Sequence, residues 1–138
     1  MTEVEAKQIN PVVLAFLGDA VFSLWVRERL VCSGTGRASD FQRAASKVVS
    51  ARGQSAFLEQ VLPVLTEQET EIFKRGRNAK KPTKSKNASP SEYNRSTGFE
   101  AVLGFLHLTG QTARIEALLS LLDKEALKGQ AKEKVYKP

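Results

Sequence analysis

The stretch LAFLGDAVFSLWV, Leu14–Val26, is apolar almost from end to end, yet it carries one carboxylate, Asp19, near its centre. Its apolar residues recur at steps of three and four, which is typical of one face of an α-helix. Asn10 and Pro11 predict the start of this helix, because Asn is a good capping residue and the missing N–H of proline costs nothing at the first helical position. The helix should run to about Cys32, where the sequence Ser-Gly-Thr-Gly ends it.

Helical patterns continue along the rest of the chain, and no segment shows a convincing alternating strand pattern. Thr66 and Glu69 have the capping-box spacing, in which each side chain takes up an orphan backbone donor of a new helix. We predict further helices from Ser39 or Asp40 to Val49, beyond a break or kink at Gly53 up to Pro63, over roughly 66–78, from Ser96 or Thr97 to Leu108, and over 111–122. The predicted fold class is therefore all-α.

Length and composition bound the domain organisation. The 138 residues, 41% of them hydrophobic, suit one sizeable core and are too few for two comfortable domains. We predict an N-terminal segment over 1–9, one helical domain over 10–122 that includes a basic loop over 79–95, and a helix extension or tail over 123–138. The polar N-terminus is unlike a signal peptide and no apolar run spans a bilayer, so we expect a soluble cytoplasmic protein without membrane association.

Cysteine and histidine are too scarce for two common kinds of site. The single cysteine, Cys32, cannot form an internal disulfide, and with one histidine, His107, the chain cannot build a zinc cluster of Cys and His ligands. Any bound metal must therefore be held by oxygen ligands.

The positive charge is concentrated in one segment. The net charge is +6, and residues 74–95 hold eight Lys or Arg against one acid, Glu92, while the rest of the chain carries 13 basic and 14 acidic residues. Such a block is often only a solvated loop. It is also typical of polyanion binding, in which Lys and Arg neutralise phosphates and release counterions. The candidate polyanion ligands are Lys74, Arg75, Arg77, Lys80, Lys81, Lys84, Lys86 and Arg95.

Two carboxylates, Asp19 and Glu100, lie in apolar helical sequence. An isolated ionised carboxylate in an apolar setting is costly, so each must be paired, neutralised or bound to a metal. Asp19 has no basic neighbour on its own helix face, so it either bonds a loop backbone or an arginine from elsewhere in the fold, or it binds a cation. Glu100 either closes a capping box with Thr97 or converges with Asp19 on a hard cation such as Mg²⁺, which takes oxygen ligands.

The two acidic motifs resemble those of a known family. LGDAV at 17–21 is similar to the signature of ribonuclease III catalytic domains, and FEAVLG at 99–104 resembles their second acidic motif. The basic run that begins at Lys74 and the short chain, in which we expect no double-stranded-RNA-binding domain, resemble specifically the mini-ribonuclease III group. The resemblance extends from about Asn10 to Leu122.

This resemblance implies a homodimeric, Mg²⁺-dependent endoribonuclease that cuts double-stranded RNA and matures the ends of 23S ribosomal RNA precursor, leaving 5′-phosphate and 3′-hydroxyl ends. It places Asp19 and Glu100 at the catalytic carboxylates of the metal site, and we expect Asp19 to be buried so that it is rigid and partly dry. Full-length members usually have further acids where this chain has Val12, Ala15 and Thr97. Looser metal binding follows, with substrate phosphate supplying oxygens, and the number of ions stays open. A ribosomal protein that presents the RNA is a further candidate partner.

Two strands of RNA call for two active sites, which an isologous dimer places symmetrically. The first long helix is more apolar than a single core-facing stripe requires, and its candidate interface residues are Phe16, Phe22 and Trp25. Ordinary core packing is the alternative for each of these aromatic residues.

Two other functions are compatible with the sequence. A non-catalytic RNA-binding or ribosome-assembly module uses the basic loop, while the carboxylates serve only the fold. A helical adaptor docks an acidic partner protein on the same loop. The distinction lies at Asp19, because an RNA-binding module tolerates Asp19→Asn and binds RNA without Mg²⁺, whereas the nuclease loses cutting.

Overall fold

The computed structural model describes residues 1–81 and 87–122 and the backbone of a two-residue strand at 132–133. The helices of this part of the chain are α1 (Glu3–Lys7), α2 (Pro11–Ser33), α3 (Ala38–Val49), α4 (Ala51–Val61), α5 (Glu67–Asn78), α6 (Pro90–Leu108) and α7 (Thr112–Leu119). A 3-10 turn at Leu62–Val64 follows α4, and the strands β1 (Gly34–Thr35) and β2 (Lys132–Glu133) pair antiparallel. Apart from this short pair of strands, the all-α prediction is confirmed.

Helix α2 begins where its sequence predicts. The side chain of Asn10 accepts a hydrogen bond from the backbone N–H of Val12 at 2.8 Å, and Pro11 is the first helical residue. The helix ends at Ser33, close to the predicted end at Cys32. The long helix that carries Asp19 is therefore confirmed.

Helices α2 and α6 cross at the centre of the fold with their backbones in direct contact. Gly18 of α2 lies against the backbone carbonyl of Glu100, and Gly104 of α6 lies against the backbone carbonyl of Leu14. A Cβ atom on either glycine would collide with the facing carbonyl group. The absence of a side chain at these two positions therefore sets how closely the helices approach.

Three phenylalanine rings fill the core where α2, α4 and α6 meet. The centroids of Phe57 and Phe99 are 5.5 Å apart, and those of Phe22 and Phe99 are 6.0 Å apart. Both pairs are arranged edge to face, which is a favourable geometry for aromatic rings. This cluster holds α4 beside the crossing of α2 and α6.

A capping box and an ion pair fix helix α5. The hydroxyl oxygen of Thr66 accepts the N–H of Glu69 at 3.1 Å, and the Glu69 carboxylate accepts the N–H of Thr66 at 2.9 Å. The same carboxylate, which is buried, accepts two N–H groups of Arg114, at 2.9 and 2.8 Å. The predicted capping box is confirmed, and the ion pair ties α5 to α7.

Helix α6 begins earlier than the sequence analysis predicts. The Ser89 hydroxyl accepts the N–H of Glu92 at 3.1 Å, the Glu92 carboxylate accepts the N–H of Ser89 at 2.9 Å, and Pro90 is the first helical residue. The prediction of a loop throughout 79–95 is therefore wrong for residues 90–95, and Glu100 lies well inside the helix rather than in a capping box with Thr97. The prolines and polar residues of this segment concealed a capping signal that Ser89 and Glu92 carry.

Smaller differences concern the chain ends and the junction after α3. Residues 1–9 include helix α1, which opens with a capping box of Thr2 and Glu5. The break between α3 and α4 falls at Ser50, whose hydroxyl accepts the N–H of Gly53 at 3.0 Å, rather than at Gly53 itself. The predictions for 82–86, 123–131 and 134–138 lie outside the described residues. Within the described chain, none of the helices has the length and apolar character needed to cross a membrane.

Candidate active site

Asp19 and Glu100 lie next to each other at the crossing of α2 and α6. Asp19 follows Gly18, the residue at which α2 touches the backbone of Glu100. The two carboxyl groups are close enough to share a hydrogen bond. Asp19 is exposed and Glu100 is half-buried. The crossing therefore holds a pair of carboxyl groups that solvent and a ligand can reach from the Asp19 side.

The prediction that Asp19 is buried is wrong. Along α2 the buried positions include Leu14, Gly18 and Phe22, whereas Phe16 and Asp19 belong to the opposite, exposed side. Part of the apolar sequence around Asp19 is therefore a solvent-facing stripe rather than core. Apolar neighbours in sequence do not require burial when a helix is apolar on more than one face.

The surroundings of Glu100 favour its protonated form. Burial raises the pKa of Glu100 to about 9, and the charge of Asp19 and the hydrogen bond to it act in the same direction. The hydrogen bond from Gln54 opposes these effects. Two carboxylates this close cannot both ionise cheaply, so without a cation Glu100 keeps its proton at neutral pH. A divalent cation at the pair removes that penalty.

Gln54 is a third polar residue at the site, and the sequence analysis missed it. Its side chain is completely buried, and Nε2 donates hydrogen bonds to Oε2 of Glu100 at 3.2 Å and to the carbonyl of Val49 at 2.8 Å. The available signal was a single polar residue on an apolar helix face, because Gln54 shares the buried side of α4 with Phe57 and Leu58.

Val12, Ala15 and Thr97 stand where the resemblance implies acids in full-length members of the family, so these positions add no carboxylate to the site. Ala15 and Thr97 are buried, and the Thr97 hydroxyl donates a hydrogen bond to the carbonyl of Tyr93 at 2.9 Å. Across residues 1–81 and 87–122, no group of three or more His, Cys, Asp and Glu side chains is placed to hold a metal ion. Two carboxylates suffice for Mg²⁺, which is commonly bound by one or two of them with water and phosphate oxygens. The donor pair Asp19 and Glu100 therefore fits a cation that is held jointly with a phosphate.

The predicted RNA-binding residues that the structure describes divide among three parts of the chain. Lys74, Arg75 and Arg77 lie in α5, Lys80 and Lys81 follow it, Arg95 lies in α6, and Lys84 and Lys86 fall outside the described residues. Arg77 and Arg95 line an open groove together with Asn94. Arg75 donates a hydrogen bond to the carbonyl of Lys7 at 2.9 Å and thereby also ties α5 to α1.

The three aromatic residues predicted at an interface have different environments. Phe16 is 83% exposed, whereas Phe22 is fully buried in the core of the chain. Phe22 cannot touch a second molecule, so its assignment to an interface is wrong. Trp25 is half-buried, its Nε1 donates to Glu116 at 2.7 Å, and the Arg29 guanidinium lies 3.8 Å from the ring centroid. Trp25 therefore joins α2 to α7.

Phe16 belongs to an exposed apolar stripe along α2. Its large members recur at helical spacing and comprise Val13, Phe16, Leu24 and Val31. Exposed Ala20 lies between Phe16 and Leu24 on the same face, and Asp19 adjoins it. A stripe of this kind on a surface helix is typical of an interaction surface.

Comparisons with known proteins agree with this geometry. The model of the ribonuclease III domain matches residues 12–111, which include both carboxylates. Mini-ribonuclease 3 of Symbiobacterium thermophilum is 47% identical over 111 residues, covering 80% of this chain and 85% of that protein. Mini-ribonuclease 3 of Enterococcus faecalis is 40% identical over 130 residues, covering 93% of this chain and 97% of that protein.

A solved structure supports the same relationship at the level of the fold. The crystal structure of a Fusobacterium nucleatum protein superposes with a TM-score of 0.76 at 26% identity, covering 83% of this chain and 92% of that one. The domain match, the similar mini-ribonucleases and this structural similarity all point to the same family. The chain belongs to the ribonuclease III family of endoribonucleases, and within it to the mini-ribonuclease III group.

Proposed function

We propose that this endoribonuclease cuts double-stranded RNA with Mg²⁺ held by Asp19 and Glu100. The observation that carries the proposal is the pairing of the two carboxyl groups beside the Gly18 contact, where the backbones of α2 and α6 touch. A second carboxyl group beside Glu100 does not help the chain to fold, because the two groups repel each other when both are ionised. Catalysis through a bound cation accounts for this arrangement.

The side chains of this protein bind and orient the cation and the RNA, and the cation would act as the electrophile. When bound, Mg²⁺ activates water and stabilises charge on the phosphate and leaving oxygens. Asp19 offers an exposed carboxylate from α2, and Glu100 offers a half-buried one from α6. In the proposed hydrolysis, water oxygen bonds to phosphorus as the bond to the 3′ oxygen breaks. The 3′ oxygen takes up a proton, leaving 5′-phosphate and 3′-hydroxyl ends.

The basic residues around α5 supply the attraction for RNA. Double-stranded RNA exposes phosphates and 2′-hydroxyls along a shallow minor groove, so charge and shape are the natural means of recognition. Lys74 and Lys80 are exposed, and the groove lined by Arg77 and Arg95 adds two guanidinium groups with donors suited to phosphate. We therefore assign RNA contacts to these side chains, together with Lys81, Lys84 and Lys86.

The active form in this proposal is a homodimer that joins through the apolar stripe of α2. The stripe is exposed in one chain and runs past Asp19, so pairing two copies covers it and brings two carboxylate pairs to one assembly. Each pair then cuts one strand of the duplex. Phe16 is the anchor we assign to this contact, and Trp25 borders it.

The substrate we assign is the base-paired region of 23S ribosomal RNA precursor in the cytoplasm, whose two ends the enzyme matures. The Mini-ribonuclease 3 relatives support the enzyme class, and the substrate follows from the resemblance to their group. Cutting of protein-free precursor by the purified enzyme tests whether a ribosomal protein must present the RNA.

The test of the proposal is cutting of long double-stranded RNA by wild type and by Asp19→Asn. We expect the wild type to cut with Mg²⁺ and to stop with chelator. Asp19→Asn should fold and bind RNA but lose cutting by about 100-fold or more, since removal of a ligand to a catalytic metal disables the site. Cutting by Asp19→Asn at the wild-type rate would contradict the assignment of Asp19 as a ligand of the catalytic cation. RNA binding by the wild type without any cutting would favour a non-catalytic RNA-binding module.

A further inference from the structure

The amide of Gln54 is held in one orientation by two acceptors. Its Nε2 donates to the carbonyl of Val49 at 2.8 Å and to Oε2 of Glu100 at 3.2 Å. Val49 is the last residue of α3, where backbone carbonyls lack helical partners. Because the carbonyl of Val49 can only accept, the amide oxygen cannot take the place of Nε2 beside it, and this contact determines which end of the amide faces Glu100.

The other end of the amide has no hydrogen-bond partner within the described part of the chain. Oε1 of Gln54 is buried and receives no hydrogen bond from any residue that the structure describes, and the whole residue is inaccessible to solvent. A buried polar atom without a partner destabilises the folded state. The neighbouring residues on this face of α4, Phe57, Leu58 and Val61, are apolar. An apolar side chain of the same length would remove this cost, but it would also leave the carbonyl of Val49 without the donor that Nε2 supplies.

From this geometry we infer that Gln54 is a positioning residue for the active site. It anchors Oε2 of Glu100 to the α3–α4 junction and leaves the second carboxylate oxygen for the divalent cation. This inference rests on the proposed function, because it takes Glu100 as a ligand of that cation. Among the described residues, Oε1 of Gln54 lies unpartnered because the same amide must place its Nε2 donor against the carboxyl group of Glu100.

A purely structural role for Gln54 makes a different prediction. If the amide served only to satisfy the Val49 carbonyl, its loss would lower stability and leave cation binding unchanged. If it positions Glu100, its loss should weaken cation binding while the fold tolerates the change. Hydrogen-bond partners of metal ligands typically alter metal affinity or activity by about 10- to 100-fold when removed.

Gln54→Met is the informative variant, because methionine has the same length and an unbranched, apolar shape. Ser55→Ala is the matched control: Ser55 lies next along α4 and donates to Glu92 at 3.2 Å, a contact with α6 that does not involve Glu100. Both proteins are titrated with Mn²⁺ without RNA, with free Mn²⁺ followed by its paramagnetic resonance. Their melting temperatures in chelator and the Mg²⁺ concentration for half-maximal RNA cutting are then measured.

We expect Gln54→Met to raise the Mn²⁺ dissociation constant and the half-maximal Mg²⁺ concentration by about 10-fold or more, while the variant still unfolds in a cooperative transition in chelator. Ser55→Ala should bind Mn²⁺ as the wild type does. Wild-type Mn²⁺ affinity in Gln54→Met, or failure of both Gln54→Met and Gln54→Leu to fold, would overturn the inference. If the wild type bound Mn²⁺ at this site yet cut no RNA, the proposed function would fail while the role of Gln54 would still be decided by the titration.

Discussion

Glu100 is the residue whose ionisation depends most on its neighbours. In solution a glutamic acid loses its proton near pH 4.5, whereas burial and Asp19 raise the pKa of Glu100 in the folded chain to about 9. Without a cation, the folded state therefore holds a proton that the unfolded state releases over this range. The contribution of this group to stability is complete below about pH 4.5 and is lost as the pH rises towards 9.

Replacing Glu100 with glutamine removes this pH dependence. Glutamine resembles the protonated acid and cannot ionise, so in chelator the melting temperature of Glu100→Gln minus that of wild type should increase from pH 5 to pH 9. Thermal melts at several pH values measure the difference, and Glu71→Gln, at an exposed position of α5, controls for the loss of one carboxylate. A difference that stays constant over the whole range would contradict the assigned environment of Glu100.

At the scale of elements, the contact between α2 and α6 depends on the missing side chain of Gly18. A Cβ at this position would collide with the carbonyl of Glu100, whose backbone cannot move without shifting α6. Gly18→Ala should therefore lower stability by about 2 kcal/mol, which corresponds to roughly 5–10 °C in melting temperature. It should also weaken cation binding, since it separates the two carboxylates.

Gly36→Ala is the control for the Gly18 substitution, because the three atoms nearest to the added methyl belong to the side chain of Asp40 and lie 3.3–3.7 Å away. Differential scanning calorimetry of both variants gives the comparison. A Gly18→Ala protein as stable as the wild type would mean that the helices do not approach as closely as the structure has them.

Local signals predicted the elements better than they predicted the site. The caps at Asn10 and Thr66 and the apolar periodicity of α2 located helices α2 and α5, because these signals act within a few residues along the chain. The exposure of Asp19 and the bond from Gln54 to Glu100 depend on which helix faces meet, and one sequence does not determine this. The family motifs identified Asp19 and Glu100 but carried no information about the orienting amide.

At the scale of the whole molecule, the exposed stripe of α2 is the surface at which we propose that a second copy binds. Phe16→Glu places a charge in the proposed contact and should convert a dimer to monomers with little loss of monomer stability, since Phe16 is already 83% exposed. Sedimentation at several protein concentrations measures the assembly. Val64→Glu adds the same charge at another exposed apolar position and should keep the wild-type mass. An unchanged mass for Phe16→Glu would place the interface elsewhere.

In the proposed active site, Asp19 and Glu100 jointly hold the divalent cation. The most direct measurement is the anomalous scattering of Mn²⁺ in crystals of the wild type grown with that ion, beside crystals of Asp19→Asn grown in the same way. We expect an anomalous peak within bonding distance of both carboxylates in the wild type, and its loss in Asp19→Asn. A Mn²⁺ ion bound elsewhere on the chain, with no peak between Asp19 and Glu100, would show that the two carboxylates do not hold the cation.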